Sequence, residues 1–159
     1  MKKRLKAVAL VLLLVIIDQI VKSLITAQTN INFTLIPGFL KLSYVENTGG
    51  AYGLGADSIL VLIGIDLFIV IFLIKYLTKN FKTLNEKVTL SLLLILSGGI
   101  SNLTDRLLRG YVVDYLDINE LINFPVFNIA DICIVVGAII MIVTILISTV
   151  KEQENIKKG

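Results

Sequence analysis

Four long apolar runs, separated by shorter polar segments, constrain the fold of this chain more than any other feature of its sequence. A helix needs about 20 mostly apolar residues to cross the hydrocarbon core of a bilayer. Hydrophobic residues make up 56% of the 159 residues, more than soluble domains usually carry. We therefore predict one integral membrane domain over residues 1–159, a membrane all-α bundle of four transmembrane helices. The predicted spans cover residues 7–27, 58–74, 88–103 and 126–150.

The first apolar run follows a cluster of basic residues and looks at first like a secretory signal peptide. It is long enough to span a bilayer, contains Asp18 and Lys22, and has bulky Ile25 at the outer position of its candidate cleavage site. We therefore predict a retained helix. Because Asp18 and Lys22 are four residues apart, they share a helix face and can pair. Two interpretations of this pair are open. It can be a structural ion pair facing the bundle interior, or its residues can belong to a functional site.

Basic residues are distributed unevenly between the segments that join the spans. The N-terminal segment, residues 75–87 and the C-terminal tail hold 11 of the 15 lysines and arginines. The two longer loops, residues 28–57 and 104–125, hold only three. Cytoplasmic loops of membrane proteins carry the excess of positive charge. We therefore expect both termini in the cytoplasm and both longer loops outside.

The first outer loop combines a strand pattern with a glycine-rich segment. Apolar and polar residues alternate over residues 39–45, which predicts a strand, and Pro37-Gly38 predicts a turn before it. Residues 46–53 are rich in glycine, which lets backbone approach a ligand closely. Asn47 in that segment can donate and accept hydrogen bonds to a peptide. A plain hairpin turn is the alternative.

The polar stretch from Gly98 to Asp131 carries most of the acidic and amide side chains outside the termini. Asp114 lies in an apolar, extended-looking segment, and Asp131 lies near the start of an apolar run. An acid in apolar surroundings costs several kcal/mol unless it is paired or protonated. Caps and salt-bridge partners are one interpretation of these acids. A site is favoured, because the predicted topology brings several polar side chains near the outer membrane surface: Asp18, Lys22, Asn47, Asn102, Asp114, Asn128 and Asp131.

The residue types that are missing exclude several kinds of chemistry. The chain has no histidine and a single cysteine, which excludes Ser-His-Asp and Cys-His catalysis, histidine-based zinc sites and an intramolecular disulfide. It has no basic stripe with interleaved aromatic residues, so no nucleic acid partner is expected. Acid–base chemistry must therefore be done by carboxylates.

Five motifs, in this order on a four-span topology, resemble the lipoprotein signal peptidases (signal peptidase II), polytopic aspartyl proteases of bacteria. The motifs are Asp18-Gln19-Ile20-Val21-Lys22, Asn47-Thr48-Gly49-Gly50-Ala51-Tyr52, Asn102-Leu103-Thr104-Asp105-Arg106, Val112-Val113-Asp114-Tyr115 and Phe127-Asn128-Ile129-Ala130-Asp131. Each motif alone would be a weak match, and together they cover nearly the whole chain.

The resemblance implies a catalytic dyad at Asp114 and Asp131. It also implies substrate-binding or dyad-supporting residues: Asn47, Gly49, Asn102, Arg106 and Asn128, with Asp18 and Lys22 in the first-helix motif. For Arg106, a carboxylate, a lipid phosphate and a surface ion pair are all possible partners. The family fold adds a small extracytoplasmic β-cradle to the four helices.

The resemblance further implies a substrate and a location. The implied substrate is a prolipoprotein with a diacylglyceryl-modified cysteine, and the enzyme cuts it immediately before that cysteine. Membrane phospholipid is the other implied partner. The enzyme works in the bacterial cytoplasmic membrane near its outer face, needs no metal or organic cofactor, and is expected to be a monomer.

The chain also departs from the family. Gly50, Tyr52 and Tyr115 replace residues that are common there, and a tryptophan that often follows the second carboxylate motif is missing. These differences bear on substrate fit rather than on the dyad. Asp66, in the middle of the second span, has no counterpart, and a protonated or bundle-facing acid is the favoured account of it.

Two other kinds of protein are compatible with four spans that contain acids. One is a proton-coupled transporter or channel subunit with Asp18, Asp66 and Asp131 as a relay. It explains Asp66 but not the gathering of acids and amides on one side. The other is a catalytically silent assembly protein.

Overall fold

The computed structural model describes residues 2–28, 31–49 and 59–158, with side chains as far as Ile156. Within these residues it contains four helices and three strands. The helices are α1 (Lys2–Thr26), α2 (Ile59–Asn80), α3 (Glu86–Arg109) and α4 (Ile129–Lys158), and the strands are β1 (Asn32–Ile36), β2 (Leu40–Asn47) and β3 (Val112–Asp117). All four helices are long and apolar enough to cross a membrane. The predicted fold class, four membrane helices with a small sheet, is confirmed.

Helix α3 lies at the centre of the bundle and packs most closely on α4. A Cβ atom added to Gly98 would collide with the carbonyl oxygen of Ala130, and one added to Gly137 would lie 2.7 Å from the carbonyl oxygen of Ser91. The two helix backbones are therefore in direct contact at both glycines, the usual means of close packing between membrane helices. This contact sets the position of the first turn of α4 against α3.

The ends of α3 and α4 differ from the predicted spans. Helix α3 continues to Arg109, so that residues 104–109, predicted as loop, are helical. Gly110 ends the helix in the left-handed conformation with a φ of 82°, which glycine adopts without strain, and its N–H donates to the carbonyl of Arg106. Helix α4 begins at Ile129, three residues later than predicted. The added turn of α3 carries Arg106 toward the sheet.

The three strands form one antiparallel sheet in the order β1-β2-β3. The strand predicted over residues 39–45 is confirmed as β2, although burial along it does not alternate, and Gly38 in the turn before it has a φ of 71°. Along β2 and β3, Val45 pairs with Asp114 and Asn47 pairs with Val112. This register brings the amide of Asn47 to the carboxylate of Asp114.

Candidate active site

A groove of about 580 Å³ lies where α3 and α4 meet the ends of β2 and β3. Its polar lining contains both predicted dyad residues and four other polar side chains: Asn47, Asp66, Asn102, Arg106, Asp114 and Asp131. Its apolar walls come from residues 124–127 and from the first turns of α4. The two acids that are distant in sequence therefore face one space between polar and apolar surfaces.

Asp114 lies on β3 with only 2% of its surface exposed. Its carboxylate accepts hydrogen bonds from Asn47 Nδ2 at 2.8 Å and from Asn128 Nδ2 at 2.6 Å. Burial raises the pKa of Asp114 to about 6, with a further increase from the nearby charge of Asp131, while the two amides act in the opposite direction. This carboxyl group therefore exchanges its proton close to neutral pH.

Asp131 is fixed at the start of α4 by a reciprocal cap. Asn128 precedes the helix, and its Oδ1 accepts the N–H of Asp131 at 2.8 Å. In return, Asp131 Oδ2 accepts the N–H of Asn128 at 3.2 Å, the arrangement of a capping box. Because the same Asn128 side chain also donates to Asp114, one amide connects the two acids.

Asn102 on α3 joins Asp131 to the buried charge of α1. Its Nδ2 donates to Asp131 Oδ1 at 2.8 Å, and its Oδ1 accepts from Lys22 Nζ at 2.9 Å. Lys22 is fully buried and also contacts Asp18 and Asp105, at 2.8 and 2.9 Å. Three acceptors therefore face the three protons of the ammonium group. The predicted pair of Asp18 and Lys22 is confirmed, and it lies inside the bundle beneath the dyad.

Asp18 links α1 to three other elements. Its carboxylate accepts from Ser101 Oγ at 2.6 Å, from Tyr115 Oη at 3.1 Å and from the backbone N–H of Ala130 at 3.2 Å. The contact with Ala130 places a negative charge at the N-terminus of α4, where the helix dipole favours it. With all these partners and Lys22, Asp18 is poorly suited to a proton relay.

Asp105 is a site-supporting residue that the sequence analysis did not single out, although it lies within a quoted motif. It is fully buried. Besides Lys22, it accepts from the backbone N–H of Val113 at 3.1 Å, from Gln19 Nε2 at 3.0 Å and from the Arg109 guanidinium. Through Val113 it fixes the strand next to Asp114. The spacing of four between Asp105 and Arg109 was the signal available in the sequence.

Asp66 faces into the bundle, one of the two accounts considered for it, and has a charged partner there. Its Oδ2 lies 2.7 Å from Arg106 Nη1 in an ion pair between α2 and α3. Of the partners considered for Arg106, a nearby carboxylate is the one present. A charge of opposite sign within reach is what makes an acid tolerable at this depth.

Arg106 also reaches the glycine-rich segment that follows β2. Its Nη2 donates to the carbonyl oxygen of Gly49 at 3.3 Å, while the N–H of Gly49 donates to Asn47 Oδ1 at 3.1 Å. The remainder of the glycine-rich motif, including Gly50 and Tyr52, lies outside the described residues. The structure therefore brings every predicted site residue into one connected set of polar contacts around the groove.

Two solved structures with this fold are membrane enzymes. One bacterial membrane enzyme solved by the in meso method aligns with a TM-score of 0.84 and 31% sequence identity, covering 91% of this chain and 89% of its own. A second aligns with a TM-score of 0.79 and 31% identity, covering 89% of this chain and 92% of its own. The fold and the acidic groove thus define a multi-pass membrane enzyme.

Sequence comparison gives the family. Residues 10–147 match the family model described as Signal peptidase (SPase) II. The lipoprotein signal peptidase of Streptococcus pneumoniae is 39% identical over 157 residues, 98% of this chain and 99% of that protein. The lipoprotein signal peptidase of Moorella thermoacetica is 40% identical over 137 residues, 83% of this chain and 87% of that protein. The chain belongs to the signal peptidase II family and is a protease.

Proposed function

We propose that this protease is an aspartic endopeptidase that removes the signal peptide from diacylglyceryl-modified prolipoproteins, cutting immediately before the lipidated cysteine. The observation that carries the proposal is that Asp114 and Asp131 line one groove and are joined by the amide of Asn128. The names of the relatives, lipoprotein signal peptidases, supply the substrate class.

The chemistry follows from two carboxyl groups held in one buried site. Two such groups do not ionise equally, so the pair holds one proton between them over a range of pH. The ionised acid takes a proton from water, which attacks the scissile carbonyl carbon. The protonated acid donates to the developing oxyanion. The first acid then gives the proton it took from water to the departing amine, while the second acid takes its proton back from the diol. The pKa of Asp114, raised to about 6, supports this division of labour.

Three asparagine side chains hold the acids in place for this reaction. Asn47 and Asn128 donate to Asp114, and Asn102 donates to Asp131. Carboxylates fixed by amide donors keep a defined direction toward the groove. These contacts leave room on each carboxylate, which has about four acceptor positions, for water or a peptide carbonyl.

The groove also suits a lipid-modified peptide. Apolar side chains of residues 124–127 and of α4, including Ile132 and Val135, lie beside the two acids. Acyl chains and the apolar part of a signal peptide can contact these walls while the scissile peptide group lies over the acids. We place both termini in the cytoplasm and the site near the outer face, on the distribution of basic residues. The proposed working unit is a monomer surrounded by phospholipid.

The test is cleavage of a lipid-modified precursor by purified, reconstituted protein. Asp114→Asn and Asp131→Asn each remove one ionisable group while keeping shape and polarity, and we expect each to abolish cleavage. Asp117→Asn, on the same strand as Asp114 but at its half-buried end and outside the groove lining, is the matched control and should cut normally. Substantial turnover by either dyad variant would rule out the aspartic mechanism.

A further inference from the structure

Asp66 is the acid that the proposed reaction does not use, although it lines the same groove as the dyad. It is partly buried in a helix whose neighbouring residues are apolar, and its partner is Arg106 at 2.7 Å. The Arg106 side chain is 10% exposed, and that of Asp66 is 21% exposed. A cation and an anion therefore neutralise each other in the wall of a groove that holds two further carboxylates.

The groove that Arg106 lines contains Asp66, with which it pairs, and also the two acids of the proposed dyad, Asp114 and Asp131. Arg106 follows Asn102 by four residues on α3, so both side chains leave the same face of the helix, and Asn102 contacts Asp131. Its Nη1 nevertheless pairs with Asp66, its Nη2 donates to Gly49, and its buried Nε finds no acceptor among the residues that the structure describes. The guanidinium is thus held on the α2 side of the groove.

We propose that Asp66 is a positioning residue of this protease: its carboxylate holds the Arg106 guanidinium on the α2 side and keeps this cation from pairing with Asp114 or Asp131. The inference rests on the aspartic mechanism proposed above. A guanidinium paired with either acid would favour its ionised form. The dyad would then lose its shared proton at a lower pH, and with it the proton donor of the reaction.

The same contacts position the loop that carries Asn47. Arg106, oriented by Asp66, donates to the Gly49 carbonyl, and the Gly49 N–H donates to Asn47 Oδ1. The Asn47 amide is thereby turned so that its Nδ2 donates to Asp114. A hydrogen-bonded series therefore runs from Asp66 on α2 to the carboxylate of Asp114 on β3.

Several charged groups lie on the elements around Asp114. They are Asp18 and Lys22 on α1, Asp66 on α2, Asp105 and Arg106 on α3, Asp131 on α4 and Glu46 on β2. Lys22 is balanced by Asp18 and Asp105, and Glu46 is exposed and bonded to Tyr44. Among these groups, Arg106 is the cation whose charge is neutralised in the groove by one acid alone, Asp66.

The experiment is a double-mutant cycle in the pH dependence of kcat, measured with saturating lipid-modified precursor. Asp66→Asn releases the Arg106 guanidinium. We expect the alkaline limb of the kcat profile to move to lower pH by about 0.5–1 unit, and kcat itself to fall. Arg106→Gln leaves the acid without its cation, and the limb should move to higher pH. The double variant removes both charges and should lie between the two single variants, and Asp66→Glu should keep both the limb and most of the rate.

Glu120→Gln is the matched control, because it removes an acid that pairs with a lysine, Lys41, outside the groove. Its pH profile should coincide with that of the wild type. A purely structural role for Asp66 would lower kcat or protein yield without moving the limbs in opposite directions. Unshifted profiles in Asp66→Asn and Arg106→Gln, with normal cleavage by the wild type, would overturn the inference and leave the proposed function intact.

A readout that needs no cleavage separates the two proposals. The titration of the Asp114 carboxyl group, followed by ¹³C NMR of aspartate-labelled protein in micelles, should shift in the same directions in the same variants. If Asp66→Asn does not fold, the Arg106→Gln titration still tests the inference, and an unshifted curve contradicts it. Shifted titrations in proteins that never cut a precursor would sustain the ion pair's effect on Asp114 but overturn the proposed protease mechanism.

Discussion

Lys22 donates to Asn102 Oδ1 at 2.9 Å, and this contact determines which end of the Asn102 amide faces Asp131. An ammonium group can only donate, so the amide oxygen turns toward Lys22 and the amide nitrogen toward the carboxylate. The distance from Asn102 Nδ2 to Asp131 Oδ1 is 2.8 Å. A charge on α1 therefore orients a carboxylate on α4, although the two helices have few direct contacts.

We expect Lys22→Met to destabilise the protein strongly. The change leaves Asp18 and Asp105 as buried carboxylates without their shared cation, which costs roughly 3–5 kcal/mol when one partner of a buried ion pair is removed. Thermal unfolding can be followed with a thiol-reactive dye, because Cys133 is buried and is the only cysteine. Lys6→Met removes an exposed lysine from the same helix and should leave the transition unchanged. Equal transitions in both variants would contradict the role of Lys22.

The pH dependence of cleavage gives a second prediction. The pKa of Asp114 is raised to about 6, so a proton that the proposed dyad shares would be present below that pH and lost as the pH rises through it. We expect kcat to fall on the alkaline side. The hydrogen bond from Asn47 stabilises the ionised form of Asp114 and lowers its pKa. In Asn47→Ala the alkaline limb should therefore move to higher pH.

The direction of that shift is the decisive observation. A loss of rate in Asn47→Ala with an unchanged limb would mean that Asn47 acts on the substrate rather than on Asp114. A limb that moves to lower pH would contradict the assigned contact. Asn119→Ala, in an exposed loop outside the groove, provides the control and should keep the wild-type profile.

Local patterns in the sequence predicted the parts of the fold that depend on local composition. Membrane crossing depends on the length and apolarity of one segment, so each of the four helices could be found separately. The alternation over residues 39–45 predicted β2 for the same reason. The ends of α3 and α4 were missed because Gly110 and Asn128 fix them through cap geometry, which an apolar pattern does not register.

The contacts of the site depend on tertiary proximity and could be predicted only in part. The resemblance to a family singled out Asp114 and Asp131, and the spacing of four predicted the pair of Asp18 and Lys22. The partner of Asp66 could not be predicted, because Arg106 lies 40 residues further along on another helix. Only the packing of α2 on α3 brings the two charges together.

The orientation of the chain in the membrane can be tested with single cysteines. In a Cys133→Ser background, a cysteine at Thr34 or Glu120 should react with an impermeant thiol reagent added to intact cells, because both positions are exposed and lie in the loops that we propose are outside. A cysteine at Asn80, beside the lysine-rich segment between α2 and α3, should react only after the membrane is permeabilised. Labelling of position 80 alone in intact cells would reverse the proposed orientation.

The contact between α3 and α4 leads to the last prediction, in which two adjacent glycines should behave differently. In Gly98→Ala the new methyl group meets the carbonyl oxygen of Ala130 and the side chain of Ile134, so α4 must move. Overpacking of this kind costs typically ~1–3 kcal/mol. Since Ala130 precedes Asp131, the displacement also reaches the dyad, and cleavage should fall together with the unfolding temperature.

Gly99→Ala is the matched control for that change. Among the residues that the structure describes, its added Cβ would meet only Val70 Cγ2, at 3.5 Å, which is an ordinary contact. Replacing glycine by alanine within a helix favours the helix by up to about 1 kcal/mol, so this variant should be as stable as the wild type or slightly more stable. Unfolding temperature and cleavage rate, measured on both variants in the same detergent, check the prediction. Similar losses in the two variants would show that α3 tolerates no added methyl group here and that the close approach at Gly98 is not the cause.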